Sequence, residues 1–159
     1  MKAIVAVDQN WAIGKGGDQL CYISADLKRF KALTTGYPVI LGRKTLATFP
    51  GGRPLKGRRN LILSRNPAFR VEGAEVYHDV ADLLKAAPQD SFVIGGESVY
   101  RAMLEACDTV YVTKIHHSFP ADTWFPDLDE DPSWQVKQEE EPLEEGELSF
   151  RYVTYERVK

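Results

Sequence analysis

Short apolar runs rich in β-branched residues recur along this chain, and each gives way to a turn and then to helical periodicity. Ala3-Ile-Val-Ala-Val7, Tyr37-Pro-Val-Ile-Leu41, Asn60-Leu-Ile-Leu-Ser64 and Ser91-Phe-Val-Ile94 carry almost no polar residue between them. Runs of this length and uniformity read as strands covered on both faces, the habit of parallel sheets. Helical stretches separate them: Ser24–Thr34, a short piece that follows Gly42-Arg-Lys-Thr45 and runs through Phe49, one opening at Asp79 with Leu83 and Leu84 inward, and Glu97–Ala106. Glu75-Val-Tyr77 adds a short strand and Asp108–Ile115 an alternating one. After that the pattern changes. Trp134–Gln138 and Ser149–Arg157 form a long antiparallel hairpin, and its acidic connection, Glu139–Glu147, reads as a solvated turn. The order predicts an α/β fold with a mixed sheet and helices on both faces.

At 159 residues the chain suits one domain with a sizeable core. The net charge of -3, without a block of Lys or Arg, argues against nucleic acid as a partner. No apolar stretch is long enough to span a membrane, and Met1-Lys-Ala-Ile-Val5 enters a strand pattern with no signal peptide. Cys21 and Cys107 lack CxxC or metal-ligand spacing and read as reduced thiols of a cytoplasmic protein, with no metal expected. No internal repeat or linker divides the chain.

Within Ser24–Thr34, Leu27, Phe30 and Leu33 recur at helical spacing and form one apolar stripe. Ser24 stands where an N-cap belongs. Asp26 falls in the first turn, one turn before Phe30 on the same side. It has two readings. An acid there complements the helix dipole for roughly 0.3–1 kcal/mol. Alternatively, if the stripe faces a cleft, Asp26 is a carboxylate in an apolar pocket.

Asp8–Gln19 carries Gly14, Gly16 and Gly17 and reads as a loop of about 12 residues, long enough to be a lid. Gly42-Arg-Lys-Thr45 leads from a strand end into a helix start, where backbone N–H groups and two cations suit phosphate. A solvated surface turn accounts for it equally well. Gly95-Gly96, between strand and helix, permits close approach of backbone to a ligand, although tight turns also use glycine pairs. Pro50-Gly-Gly-Arg-Pro54 is a turn that cannot continue a helix.

Taken together and in order, several motifs resemble the dihydrofolate reductases of the bacterial, monomeric kind. They are Ala6-Val-Asp8 with Ile13-Gly14, Ala25-Asp-Leu-Lys-Arg-Phe-Lys31, Pro38-Val-Ile-Leu-Gly-Arg-Lys-Thr45, Arg53-Pro-Leu-Lys-Gly-Arg58 and Leu61-Ile-Leu-Ser64. Val93-Ile-Gly-Gly96, Val99-Tyr100, Val112-Thr113 and Ala121-Asp-Thr-Trp-Phe-Pro126 follow. The resemblance implies one domain over residues 1–159, built on a central mixed, mainly parallel, eight-stranded sheet with a C-terminal antiparallel hairpin. It implies hydride transfer from NADPH to C6 of dihydrofolate, with a proton going to N5, in the service of one-carbon metabolism.

Carried over residue by residue, the resemblance makes Asp26 the pocket carboxylate that binds the pterin edge and promotes its protonation. Thr113 steadies it, and Tyr100 belongs with them at the catalytic centre. Ile4, Val5, Ala6, Ile94 and Tyr100 surround the pterin and nicotinamide rings. Leu27, Phe30, Phe49 and Leu55 pack on the aminobenzoyl portion, and Arg58 receives the α-carboxylate of the glutamate tail. Lys31 and Arg53 assist at the rim or are plain surface charges. On the cofactor side the implied residues are Ala6, Ile13, Gly14 and Lys15, then Gly42, Arg43, Lys44 and Thr45. Leu63, Ser64, Arg65 and His78 lie near the 2′-phosphate, and Gly95, Gly96, Glu97, Ser98, Val99 and Tyr100 form a second cradle. The GxGxxG fingerprint is absent.

The chain departs from the family pattern at Leu20 and Cys21, at Ser24, at the bulky Trp11 early in the lid, and at Glu97 and Ser98. The resemblance also implies antifolate binding and a monomer. Two other readings compete: the related NADPH-dependent pyrimidine reductase of riboflavin synthesis, and a non-catalytic NADPH- or pterin-binding regulator. The helix acid and Arg58 favour folate over the first, and the complete set of chemical residues disfavours the second.

Overall fold

Val39, Ile40, Leu41, Leu61, Ile62 and Val93 have no solvent exposure at all, as expected of strands covered on both sides. The computed structural model describes residues 1–159. In chain order its strands are β1 (Lys2–Val7), β2 (Ala12–Lys15), β3 (Asp18–Gln19), β4 (Val39–Gly42), β5 (Asn60–Leu63) and β6 (Glu75–Tyr77). They continue with β7 (Phe92–Gly95), β8 (Thr109–Ile115), β9 (Thr123–Trp124), β10 (Trp134–Glu139), β11 (Leu143–Glu145) and β12 (Leu148–Arg157). The helices are α1 (Ser24–Thr34), α2 (Arg43–Leu46), α3 (Val80–Ala86) and α4 (Glu97–Met103), with 3-10 turns at Pro50–Gly52 and Leu104–Ala106.

The main sheet runs β10-β12-β8-β1-β7-β4-β5-β6, an eight-strand path to which β11 adds by pairing with β12. From β8 to β6 every pair is parallel, and β12 pairs antiparallel with β8, β10 and β11. Because strand side chains alternate, the two faces feed different cores. Ala3, Val5, Val7, Ile40, Leu61 and Val93 meet Leu83 of α3 and Val99, Tyr100 and Met103 of α4. Ile4, Val39, Leu41, Ile62, Phe92 and Ile94 meet Leu46 of α2 and Phe30 and Leu33 of α1. No helix is long and apolar enough to cross a membrane.

Four expectations need correction. Leu84 is 39% exposed while Leu83 is fully buried, since neighbours on a helix point about 100° apart and only one can face the sheet. Asp8–Gln19 is no plain loop: β2 and β3 form a small antiparallel sheet with β9. Trp11 is not a lid residue but part of the core. It adopts φ 61° and packs against Phe125 and Tyr155, with ring centroids 6.2 and 5.8 Å away. Ser24 does not cap α1. Ile23 holds the N-cap position, and the amides of Ser24 and Ala25 donate to the Glu145 carboxylate at 2.7 and 3.1 Å.

That last contact gives the acidic connection a role. Glu145 satisfies two of the four amides that a helix start leaves free, and its charge faces the positive end of the helix. The two backbone amides in turn hold its carboxyl below the usual range. Glu145→Ala is expected to lower Tm by a few degrees. Glu144→Ala, on the same strand without such a contact, should leave it unchanged. Equal melting of the two variants in calorimetry would show that the cap contributes nothing.

Candidate active site

The parallel strands end together at one side of the sheet, where β1 sits between β7 and β8, and open α/β sheets place their ligands beyond such carboxyl ends. A cleft of about 1260 Å³ opens there. One wall is Ile4, Val5 and Ala6 of β1 with Thr113 and Ile115 of β8. Asp26, Leu27, Phe30 and Lys31 of α1 face it, and the lid residues Ile13, Gly14 and Gly17–Tyr22 close over one end. Leu27 is 44% exposed because its surroundings are the cleft rather than the core.

At the inner end Thr113 donates its hydroxyl proton to Oδ1 of Asp26 across 2.5 Å. Thr113 is buried and Asp26 half-buried. Burial pushes the Asp26 carboxyl above the usual aspartate range; the Thr113 hydroxyl and the Arg29 charge pull it partly back. The result is a carboxylate fixed in direction, beside apolar Ile4, Val5, Leu27, Phe30 and Ile94, with one oxygen free for a ligand. Tyr100 lies fully within the wall, and its hydroxyl donates to the Ile4 carbonyl at 2.6 Å. Burial lifts its phenol far above its ordinary value, so it stays protonated.

At the outer end Arg58 is held by two of its own donors, Nη1 to Thr34 Oγ1 at 3.1 Å and Nε to the Lys56 carbonyl at 3.0 Å. Asn60 shapes the loop that carries it. Its side chain bonds the Leu55 amide and carbonyl at 3.0 and 2.9 Å and the Arg58 carbonyl at 2.8 Å. Asn60 is missed by sequence reasoning, because a polar residue opening an apolar strand reads as mere punctuation.

The opposite arm of the cleft is lined by backbone. A Cβ at Gly95 or Gly96 would come 3.3 or 3.2 Å from Thr45 Oγ1, and one at Gly42 would come 3.1 Å from a Val99 methyl. The Gly95–Gly96 peptide is cis, and Gly95 has φ 133°. Around this floor stand Arg43, Lys44, Thr45, Leu63, Ser64, Arg65, His78, Glu97 and Ser98. His78 Nδ1 lies 2.9 Å from the Ser64 carbonyl, which fixes the imidazole beside Arg65.

The lid is anchored at both ends. Buried Asp8 accepts from the amides of Asn10, Ala12 and Phe119 at 2.8, 3.0 and 2.9 Å. Farther along, the Asp122 amide donates to the Gly14 carbonyl and the Gly16 amide to the Asp122 carboxylate, at 3.0 and 2.9 Å. These two bonds pair the lid with the segment at Ala121-Asp122. Glu97 accepts from the Trp124 amide at 3.1 Å, tying the glycine floor to the strand that carries the lid.

All but two of the residues singled out from sequence line this one cleft. Lys15 and Arg53 do not: both are exposed, Lys15 on the outward side of β2 and Arg53 just past the 3-10 turn. Thr48, Pro50, Asn66, Asp79 and Thr123 line it without having been singled out, for none carries a recognisable local signal.

A family model described as Dihydrofolate reductase matches residues 1–157. The dihydrofolate reductase of Bacillus subtilis (strain 168) is 35% identical over 158 residues, covering 97% of this chain and 92% of its own length. The type 3 dihydrofolate reductase of Salmonella typhimurium is 41% identical over 126 residues, covering 78% of this chain and 76% of its own. In three dimensions the chain is similar to the dihydrofolate reductase of Enterococcus faecalis solved with NADP(H) and RAB-propyl. The TM-score is 0.88 at 35% identity, covering 99% of this chain and 96% of that one. Sequence match and shared fold, each running nearly end to end, place this chain in the dihydrofolate reductase family.

Proposed function

We propose that this protein reduces 7,8-dihydrofolate to tetrahydrofolate with NADPH, and that the reaction takes place between Asp26 and the glycine floor at Gly95-Gly96. The observation that carries this is a half-buried carboxylate, oriented by Thr113, at the apolar end of a cleft whose other arm is backbone and cations. A flat nitrogen heterocycle with adjacent ring N–H and amino donors matches that carboxylate.

The residues present fit a phosphate-bearing dinucleotide. A Cβ at Gly95, Gly96 or Gly42 would crowd Thr45 or Val99, and Arg43, Lys44 and Arg65 border the floor. Arg65, Ser64 and His78 would hold a 2′-phosphate, which favours NADPH over NADH. When bound, the nicotinamide supplies the hydride. The protein does the rest. Asp26 grips the ring edge and shares one proton with it, while Thr113 keeps the acceptor oxygen aimed. Ile4, Ala6, Ile94 and Tyr100 hold the rings face to face and exclude water. Leu27, Phe30, Phe49 and Leu55 receive the aminobenzoyl portion, and Arg58, with Lys31 at the rim, the glutamate carboxylates. Because the step needs a proton shared between Asp26 and substrate, kcat/KM falls as pH rises through the pair's titration.

The carboxylate, ring pocket, tail site and phosphate floor are all supplied within residues 1–159, so a monomer acting as a single domain suffices for the reaction. The two unpaired thiols support a cytoplasmic setting, and the small apolar-ended cleft supports small-molecule partners, antifolates among them. Following loss of NADPH absorbance with dihydrofolate, and separately with the pyrimidine intermediate of riboflavin synthesis, tests the reading. Consumption with dihydrofolate alone is expected; none with dihydrofolate overturns it.

The lid makes its own prediction. NADPH binding is expected to lower amide exchange over residues 12–19, where the small β2-β3-β9 sheet borders the cleft. Equal exchange with and without NADPH would rule out closure on the cofactor.

A further inference from the structure

One half-buried charge takes no direct part in the reaction. Arg29 lies one helical turn beyond Asp26 on α1 and forms no ion pair: its guanidinium sits over aromatic rings instead. The guanidinium carbon is 3.9 Å from the centroid of Tyr152 and 5.9 Å from that of Tyr111. Its Nη1 is buried and has no hydrogen-bond partner.

The placement is specific. Tyr152 is the residue directly opposite Thr113 in the β12–β8 ladder, and Tyr111 precedes Thr113 by two, on the same face of β8. The residue that holds Asp26 and the residue that holds Arg29 are therefore cross-strand neighbours. Helix α1 is pinned to the sheet at two adjacent points, one through its acid and one through its base. A buried guanidinium nitrogen without a partner is costly, and stacking repays only part of that cost. The placement brings the charge near Asp26, whose ionised form it favours.

We propose that Arg29 is a positioning residue for the reaction: clamped on Tyr152, it places a fixed positive charge beside Asp26, helps seat that carboxylate on Thr113, and so tunes the pH range of catalysis. This rests on the function proposed above for Asp26. Among the other groups around Asp26, the Thr113 hydroxyl on β8 also favours the ionised form, but as a neutral donor. Cys21 before α1, Tyr100 on α4 and Tyr152 on β12 are acids kept protonated first by burial and then by the Asp26 charge. The other charges felt at Tyr152 are Glu140 and Glu145, both negative. Lys2 lies over Tyr111 at 5.8 Å. Arg29 is therefore the only cation on the same helix face as Asp26 that the sheet holds in place.

The test is Arg29→Met, with Arg29→Gln as a second neutral variant and Arg29→Lys as the charge-conserving one. The carboxyl titration of Asp26 is followed by carbon-13 NMR in the protein without substrate, and Asp26→Asn identifies the resonance. Both neutral variants are expected to raise the titration midpoint by about half a pH unit or more. The alkaline limb of kcat/KM for dihydrofolate should move the same way. Arg29→Lys should restore both even if its Tm stays low, since lysine keeps the charge and loses the flat stack. A midpoint unchanged in Met and Gln, whatever their Tm, overturns the proposal and leaves Arg29 a packing residue. The NMR readout needs no turnover, so it stays decisive if the protein proves not to reduce dihydrofolate, a result that would fall on the proposed function instead.

Discussion

Asp26→Asn is expected to lower kcat with dihydrofolate at neutral pH by about 10²–10⁴-fold, the usual worth of a positioned acid or base. The amide is nearly isosteric, and its oxygen still accepts the Thr113 hydroxyl that now bonds Oδ1 at 2.5 Å. What it cannot do is share a proton with the substrate ring. Protonation must then come from solvent, so the residual rate should climb as pH falls. NADPH affinity should be unchanged, because Arg43, Lys44, Arg65 and the glycine floor lie in the other arm of the cleft. Stability should move in the opposite direction to activity. The Asp26 carboxyl is raised by burial above its ordinary value of 3.8, so as pH climbs past that value the unfolded chain gives up its proton first. Stability is lost over the window between the two midpoints and stays lost above it. Asp26→Asn, free of that penalty, should melt no lower than the parent at neutral pH, and the difference should vanish below pH 3.8. An undiminished kcat in this variant would remove Asp26 from the chemistry.

Arg58→Leu is expected to raise KM for dihydrofolate by about 10–150-fold, the equivalent of the roughly 1.5–3 kcal/mol that a hydrogen bond to a charged group contributes. Two of the guanidinium donors are already committed, to Thr34 and to the Lys56 carbonyl, which aims the rest at the cleft mouth. The contact is far from the reacting atoms and equal in ground and transition states, so kcat should hold. A tail-free dihydropterin should be reduced equally by parent and variant. Were the variant equally impaired on both substrates, the loss would lie in the Leu55–Arg58 loop and not in a carboxylate contact.

What could be read from sequence follows from how local each cause is. The central strands were legible to within a residue or two because a strand buried on both faces must be apolar, as β4 and β7 are throughout and β5 is past Asn60. The lid strands were not. β3 is two residues long and β2 four; β3 pairs only with β2, and β2 takes its other partner from Thr123–Trp124, about a hundred residues on. Glu145 as the cap of α1 was hidden for the same reason: it lies 121 residues from Ser24. Trp11 looked like a lid residue from its neighbours, but its environment is Phe125 and Tyr155.

The site divides in the same way. Glycine turns and cations at Gly42–Thr45 and Gly95-Gly96 stand out locally. That Asp26 belongs with Thr113, 87 residues away, came from family resemblance, and the fold supplies the physical reason: β8 runs beside β1 under the first turn of α1. Arg29 carried no sequence signal, since a base one turn after an acid is ordinary on any helix surface.

The central claim is a direct hydride passage across this cleft onto a ring held by Asp26. Incubating the protein with dihydrofolate and NADPH deuterated at the transferable position of the nicotinamide, then locating the label in the product by mass spectrometry and proton NMR, measures it. One deuterium at C6 of tetrahydrofolate is the predicted result, formed by the parent and, far more slowly, by Asp26→Asn. Tetrahydrofolate without the label, or no reduction while NADPH binds normally, would contradict it.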